Sequence, residues 1–367
     1  MKKTFDRVLC TAIVLLSVLS SACTRPISES SAVNNLTGTD ENKVIYGASS
    51  LGSFHSISEQ GIFSHDVRHL KYYDPETKES YVICSKSNCR HSDSGCSGWY
   101  EPLSAVGLAL YGKNVYVFKR NESKNSYDLI CMDISGNSQK TVCTFNTGSC
   151  SEEGWHLSSI YDVCYVGGMV WFKGSYSYRY GINSDQTDRD AVSVIGVNLS
   201  DGKHTVINKL PENEKEMTPE LYADCSIEYI SKDFVMIQKI WNAAEKLTKE
   251  EFMKAFDGGS WSEFKNSEDP YYAYLEWHSS SGDYVYSYLL YDVQNGSLKE
   301  FEKGVPFMIY DDGKIEGIYA PYIFSGTYDN KILYCTYDRI SDAYAHESGM
   351  SVFIYDPKSG KRISSGD

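Results

Sequence analysis

The sequence predicts an all-β fold, a β-propeller of five blades carrying a short helical insertion. Three observations lead there. The 367 residues include 30 Tyr, 14 Phe, 6 Trp and 28 Gly, a mixture suited to short strands joined by tight turns. With 41% apolar and 23% charged residues the composition is globular. And one phrase recurs along the chain: an alternating aromatic or aliphatic strand, then Asp or Asn, then a turn, then another strand.

The chain opens with an address. Lys2, Lys3 and Arg7 form a basic start, Val8 to Leu19 is almost wholly apolar, and Ser20-Ser21-Ala22 precedes Cys23. This is a secretory signal. Its small-small-Cys ending resembles the lipobox of bacterial lipoproteins, although Leu19 stands four residues before the cysteine rather than the usual three. That resemblance implies a signal peptide over 1–22 and lipidation at Cys23, which would anchor the chain to the membrane without a span. Ordinary signal cleavage is the plainer alternative. Residues 23–42 hold many Ser, Asn, Thr and Gly and few large apolar side chains, so they read as a flexible tether. The propeller domain then occupies 43–367.

Within that domain the repeated phrase places its Asp or Asn at Asp74, Asp133, Asn198, Asp292 and Asp356. The side chain at this position can accept backbone N–H groups of the turn, and a following Gly can supply a positive φ. A second phrase, a turn feeding a strongly apolar strand, precedes several of these. Tyr111-Gly112-Lys113-Asn114-Val115-Tyr116-Val117-Phe118 is the clearest example. Four antiparallel strands with ordinary loops need about 40 to 50 residues. The blades therefore fall near 45–83, 103–145, 155–210, 222–302 and 316–363, with room for a sixth in the long step between Asn198 and Asp292. Successive units of this kind argue for radial repetition. A large β-sandwich is the alternative.

The largest insertion runs from about Trp241 to Asp269. Thr248-Lys249-Glu250-Glu251 has the pattern of a capping box, Phe252 and Phe256 share one face of the helix that follows, and Gly258-Gly259 ends it. Loops on one rim of a propeller are where binding concentrates. Trp241, Trp261, Tyr271, Tyr272, Tyr274 and Trp277 are the candidate ligand-binding residues, because aromatic faces suit sugar rings and peptide side chains alike. The same residues could instead fill the interior. A second insertion, Ser175 to Asp190, carries Asn183, Asp185, Asp188 and Asp190, whose spacing matches no calcium loop.

Eleven cysteines are present. Cys84, Cys89, His91 and Cys96 fall within one short string, and three thiolates with one imidazole make a complete tetrahedral shell for zinc. Such a metal would be structural, because no coordination position stays open. A disulfide among Cys84, Cys89 and Cys96, with His91 a bystander, remains the rival reading. Cys143 and Cys150 flank a short turn and form a candidate disulfide. Cys131, Cys164, Cys225 and Cys335 lie in apolar strand patterns and are expected as buried thiols. The Cys-x4-Cys-x-His-x4-Cys string closely resembles a segment recurring after the first blade of bacterial β-propeller lipoproteins of uncharacterised function. The resemblance extends in repeat style over most of the chain, and it transfers no activity.

The formal charge of −14 argues against nucleic acid as a partner, since phosphates need a positive surface. No Gly-x-Ser-x-Gly elbow and no Gly-x4-Gly-Lys loop occurs. His65 and His69 lie four apart in a segment that reads as strand, too far apart along it to clamp one metal. Asp66, Asp162, Asp224 and Glu316 are acids near strand ends, with nothing to show that any two converge. The expectation leans away from an enzyme and towards an exported protein, held on the outer face of the cell membrane by its lipid, that recognises an extracellular protein or glycan. A glycoside hydrolase or lyase of five-bladed propeller type is the alternative, and a purely structural part in an envelope assembly is a third reading.

Overall fold

The computed structural model describes residues 25–26, 39–49, 55–102, 104–148, 153–180, 189–212, 224–242, 247–280, 284–304, 307–311, 314–319, 322–328, 331–337 and 350–364. The expected signal peptide and Cys23 lie outside these residues, as do Cys150, Asn183, Asp185 and Asp188. No helix among the described residues is long and apolar enough to cross a membrane. The chain is all-β with a few helical turns, and its strands form several antiparallel sheets. It divides into two compact units: residues 1–147, 161–170 and 198–203, and residues 148–160, 171–197 and 204–367.

In the first unit, Ser56–Ser58, Gly61–His65, Leu70–Asp74 and Glu79–Val82 pair in sequence order as the first sheet. Arg25–Pro26 adds to its outer edge in parallel, opposite Tyr81 and Val82. Ala105–Tyr111, Asn114–Asn121, Ser126–Met132 and Lys140–Asn146 form the second sheet in the same order. The middle strands of this sheet are buried on both faces, whereas Lys140–Asn146 is largely exposed. A sheet covered on both faces loses the simple in-out alternation, and this explains the near-continuous apolar run from Val115 to Phe118. One core joins the two sheets: Phe63, Leu70, Tyr72 and Tyr81 of the first pack with Leu108, Leu110, Val115, Val117, Ile130 and Met132 of the second.

Residues 39–49 are built into this unit more tightly than their composition suggests. Thr39 N–H donates to the Gly112 carbonyl and Thr39 Oγ1 accepts Gly112 N–H. The Glu41 carbonyl accepts both Tyr111 OH and Gly167 N–H. Ile45–Tyr46 then pairs with Cys164 and Tyr165, and Ala48–Ser49 with Val106 and Leu108. Between those two short pairings a Cβ on Gly47 would lie 2.5 Å from Gly107 Cα, so only glycine lets the two backbones approach.

The strands Gly154–Val166, Met169–Arg179, Arg189–Asn198 and His204–Val206 run side by side in sequence order, and the sheets that follow belong to the second unit. Asp224–Ile230, Phe234–Asn242, Tyr284–Asp292 and Ser297–Gly304 form the next sheet. Tyr322–Tyr328, Lys331–Tyr337, Met350–Asp356 and Lys361–Ser364 form the last. A two-stranded hairpin, Phe307–Asp311 with Lys314–Tyr319, lies between them in sequence. Trp171 meets Tyr291 edge-on at 5.8 Å, and Phe234, Met236 and Leu290 share a core with Ile332, Tyr334 and Tyr355. Within each unit, then, separate sheets share buried side chains. Each buried aromatic of this size contributes roughly 1.5–3 kcal/mol by leaving water.

The repeated Asp or Asn accepts backbone N–H groups of its turn in each of the five larger sheets. Asp74 Oδ1 accepts Glu76 N–H, Asn198 Oδ1 accepts Ser200 N–H, Asp292 Oδ1 accepts Gln294 N–H and Asp356 Oδ1 accepts Lys358 N–H, at 2.8 to 2.9 Å. In these four turns the backbone closes four residues on, at Lys78, Gly202, Gly296 and Gly360, and each closing residue has φ between 60° and 71°. The turn after Asp133 is one residue shorter: Gly136 N–H closes on the Asp133 carbonyl while Asp133 Oδ1 accepts Asn137 N–H.

Candidate metal centre

The strand Glu79–Val82 leaves the first sheet and runs into Cys84 with little apolar sequence to guide it. Ile83 N–H still reaches the Leu70 carbonyl. The chain then bends through short turns: Cys89 N–H donates to Lys86 O, Cys96 N–H to Asp93 O and Trp99 N–H to Cys96 O. Asn88 and His91 take the left-handed conformation, φ 61° and 53°. Lys86 Nζ crosses the loop to the Gly95 carbonyl, and Ser97 Oγ accepts Ser85 N–H. These bends bring one ligand atom each from Cys84, Cys89, His91 and Cys96 within 4.8 Å of one another. In a tetrahedral zinc site with Zn–S near 2.3 Å, sulfur atoms sit about 3.8 Å apart, so the cluster has the right scale for a single ion.

Cys84, His91 and Cys96 are buried and Cys89 is half-buried. His91 Nδ1 lies 3.2 Å from Cys96 Sγ, while its Nε2 is buried without a hydrogen-bond partner. Nδ1, turned towards the Cys96 sulfur, is the nitrogen placed to ligate a metal, and Nε2 would then carry the ring proton. Burial, and secondarily the nearby His69, lowers the His91 pKa, which keeps the ring neutral and able to ligate. Burial also works against the Cys84 thiolate, but hydrogen bonds from Lys86 N–H, Ser97 and the Cys96 thiol outweigh it and bring its pKa down to about 7. Burial and the neighbouring Cys84 push Cys96 up to about 12. With no cation present, one thiolate is favoured and its neighbour keeps its proton. A bound dication would relieve that repulsion. The donor set therefore fits zinc.

The loop is tied back to the sheet on its other side. His69 Nε2 hydrogen-bonds the His91 carbonyl at 2.8 Å, His69 pairs with Trp99 across an isolated bridge, and Trp99 packs on the cysteines. Asp66 Oδ1 accepts the N–H groups of Arg68 and His69, and its Oδ2 meets Lys71 Nζ at 2.6 Å. His65 and His69 thus do not continue one strand. They stand on the two sides of a hairpin turn that Asp66 organises, and Asp66 is committed to that turn rather than poised as a catalytic acid.

Among the described residues no cysteine is joined in a disulfide, and Cys131, Cys164, Cys225 and Cys335 are buried as expected. Cys143 is half-buried and free. Of the other candidate acids, Asp224 accepts its neighbour Cys225 N–H, Asp162 has φ 53°, and the Glu316 side chain lies outside the described residues.

The helical insertion holds the other candidates. The capping box forms as expected: Glu251 N–H donates to Thr248 Oγ1 and Thr248 N–H to Glu251 Oε2, starting the helix Lys249–Asp257. A second helix, Pro270–Ser280, was missed in the sequence. Its start was legible, because Asp269 Oδ1 accepts the N–H groups of Tyr271 and Tyr272 and Pro270 follows at the first helical position. Phe252, Phe264 and Tyr274 form a small buried core with Trp261 and Tyr271 packed against it. Tyr274 OH accepts Leu247 N–H, and Tyr271 OH donates to the Leu247 carbonyl. Trp241 is buried too, on the strand Phe234–Asn242. Of the six aromatic candidates, Tyr274 and Trp241 therefore serve the interior and Trp261 and Tyr271 are half-buried. Tyr272 and Trp277 reach solvent, 61% and 40% exposed.

No family model matches the chain, and no curated protein matches it. Among solved structures it is similar to an oligogalacturonate lyase in complex with manganese, at 11% identity and a TM-score of 0.34, over 83% of this chain and 61% of that one. It is similar to TolB from Acinetobacter baumannii at 11% identity and TM-score 0.28, covering 89% and 54%. An acylaminoacyl peptidase from Pyrococcus horikoshii aligns at 12% identity and TM-score 0.35, covering 90% and 41%. The chain spans less than two thirds of the length of each of these structures.

Proposed function

We propose that this chain is an exported, lipid-anchored β-propeller of five blades that binds an extracellular protein or glycan, its first blade pinned by a structural zinc ion on Cys84, Cys89, His91 and Cys96. The observation that carries the reading is the closed donor set. Four protein ligands fill a tetrahedron and leave no position for water or substrate, so the metal holds a loop rather than driving a reaction. Zinc supplies no redox chemistry there. The shared buried cores of successive antiparallel sheets support the propeller. Tyr272 and Trp277, exposed on a helix braced by its own aromatic core, support binding through the insertion, because rigid aromatics give large contact area at small entropic cost.

The test is metal analysis and ligand capture on the same purified, reduced chain. One equivalent of zinc is expected, lost in a Cys84/Cys89/Cys96 triple serine variant. A Tyr272→Ala variant, which removes the more exposed of the two rings, should keep its zinc and its melting temperature but lose capture on an array of extracellular polysaccharides and envelope proteins. Hydrolysis or elimination of any arrayed glycan would overturn the binding reading, and absence of zinc the metal reading.

A further inference from the structure

The half-exposure of one ligand has a chemical consequence. Cys84 and Cys96 are buried against Val82 with Trp99 packed on them, and His91 is buried too. Cys89 is the half-buried member of the set. It follows the left-handed Asn88, in the one turn of the loop closed by a long hydrogen bond, 3.3 Å from Cys89 N to Lys86 O. Behind it stands Cys96, whose sulfur lies within 4.8 Å of the sulfurs of both Cys84 and Cys89. An electrophile arriving from solvent thus meets Cys89 first and finds a second sulfur within 4.8 Å of it.

We infer that Cys89 is an oxidation site, and that a peroxide converts the metal clip into a Cys89–Cys96 disulfide with release of the ion. The inference rests on the reading of the cluster as a metal site. In the first step the Cys89 sulfur attacks one oxygen of hydrogen peroxide; the O–O bond breaks, sulfenic acid forms and hydroxide leaves. In the second, the Cys96 thiolate attacks the Cys89 sulfur, the S–S bond forms and a second hydroxide leaves. Two thiolates have given up two electrons, and the peroxide has taken them. Cys84 and His91 remain, and two ligands do not hold zinc against water. The metal and the disulfide, rivals when only the sequence is read, become the reduced and oxidised states of one loop. Metal coordination shields thiolates less where solvent reaches them, which is why the order of attack follows exposure.

The experiment uses the full chain, reduced, loaded with one equivalent of zinc and freed of excess. Hydrogen peroxide is added stepwise, zinc release is followed with a chromogenic chelator, and peptides are mapped by mass spectrometry without reduction. Zinc release should run parallel to formation of the Cys89–Cys96 disulfide and reverse with dithiothreitol plus zinc. A limiting amount of N-ethylmaleimide should label Cys89 an order of magnitude ahead of Cys84 and Cys96, which tests the order of access without any variant. Zinc that stays bound through a stoichiometric excess of peroxide, or first labelling at Cys84 or Cys96, overturns the switch and leaves the structural metal standing. A reduced chain that takes up no zinc overturns both.

Discussion

The loop 84–99 and the insertion 247–280 are both excursions from the sheets, yet they are held by opposite means. The loop has almost no apolar side chains of its own beyond Trp99 and relies on ligand atoms gathered at one point. The insertion gathers no ligands and relies on aromatic rings, with Phe252 and Tyr274 centroids 4.9 Å apart and Trp261 and Trp277 5.1 Å apart. A short segment cannot bury enough surface to offset its own ordering. Chelation solves that with few residues, and its strength depends on the metal and its oxidation environment. Packing needs a longer segment, and its strength is indifferent to both.

The contrast breaks if both regions respond alike to a chelator. Removing the metal should have the largest effect: structural zinc sites bind with apparent free energies of about 10–16 kcal/mol, so the amides of residues 84–98 should lose exchange protection while those of 249–257 keep theirs, as read by hydrogen-exchange mass spectrometry. The converse perturbation is Tyr274→Ala. It empties the centre of the aromatic core and strips Leu247 N–H of its acceptor, and should cost about 3–5 kcal/mol. Protection should then vanish over the insertion with zinc content unchanged. A Tyr274→Ala chain that loses its zinc would show the two regions to be one cooperative body.

The two regions also differ in how far the sequence disclosed them. Cys84, Cys89, His91 and Cys96 lie close in sequence, so their convergence is a local matter and could be read from spacing. The turn residues were legible for the same reason: an Asp or Asn and the Gly four positions on act within one turn. Thr248 and Glu251 likewise form their box across three residues. The fate of the aromatics was not legible, because whether Tyr274 faces inward and Tyr272 outward depends on a second helix that strand-favouring residues disguise. Tyr-Tyr-Ala-Tyr-Leu-Glu-Trp has the composition of a strand, and only the Asp269-Pro270 start marks the helix. Residues 39–49 were hidden in another way. They pair two residues at a time with strands far along the chain, too few for any period to show, and the close approach at Gly47 is a property of its distant partner.

Smaller perturbations sharpen the comparison. Thr248→Ala removes the acceptor of Glu251 N–H and should destabilise the insertion by about 1 kcal/mol, again without touching zinc. The same cap gives a pH signature. The Thr248 N–H and hydroxyl hold the Glu251 carboxyl below its usual range. Its contribution is thus fully present above the ordinary glutamate pKa, about 4.3, and is lost as pH falls through the lower folded value. Fraying of Lys249–Asp257 on acidification should therefore be steeper in the parent than in Thr248→Ala, as exchange rates across an acid series would show.

The smallest effect expected has the opposite sign. Lys78 closes its turn at φ 60° where three sister turns use Gly202, Gly296 and Gly360. A β-carbon in the left-handed region costs about 1–2 kcal/mol, part of which glycine returns as entropy lost on folding. Lys78→Gly should therefore stabilise the first sheet by about 1 kcal/mol, a rise of roughly 2 °C in melting temperature for a chain of this size. Lys78 immediately precedes the strand Glu79–Val82 that delivers Cys84, so the substitution stiffens the support of the clip without altering a ligand. If the clip is held by its metal, zinc affinity should not change as the sheet is stabilised. If affinity rises with the melting temperature, the sheet rather than the donor set limits the site, and the division between a chelated region and a packed one gives way to a single mechanism in which strand geometry positions both.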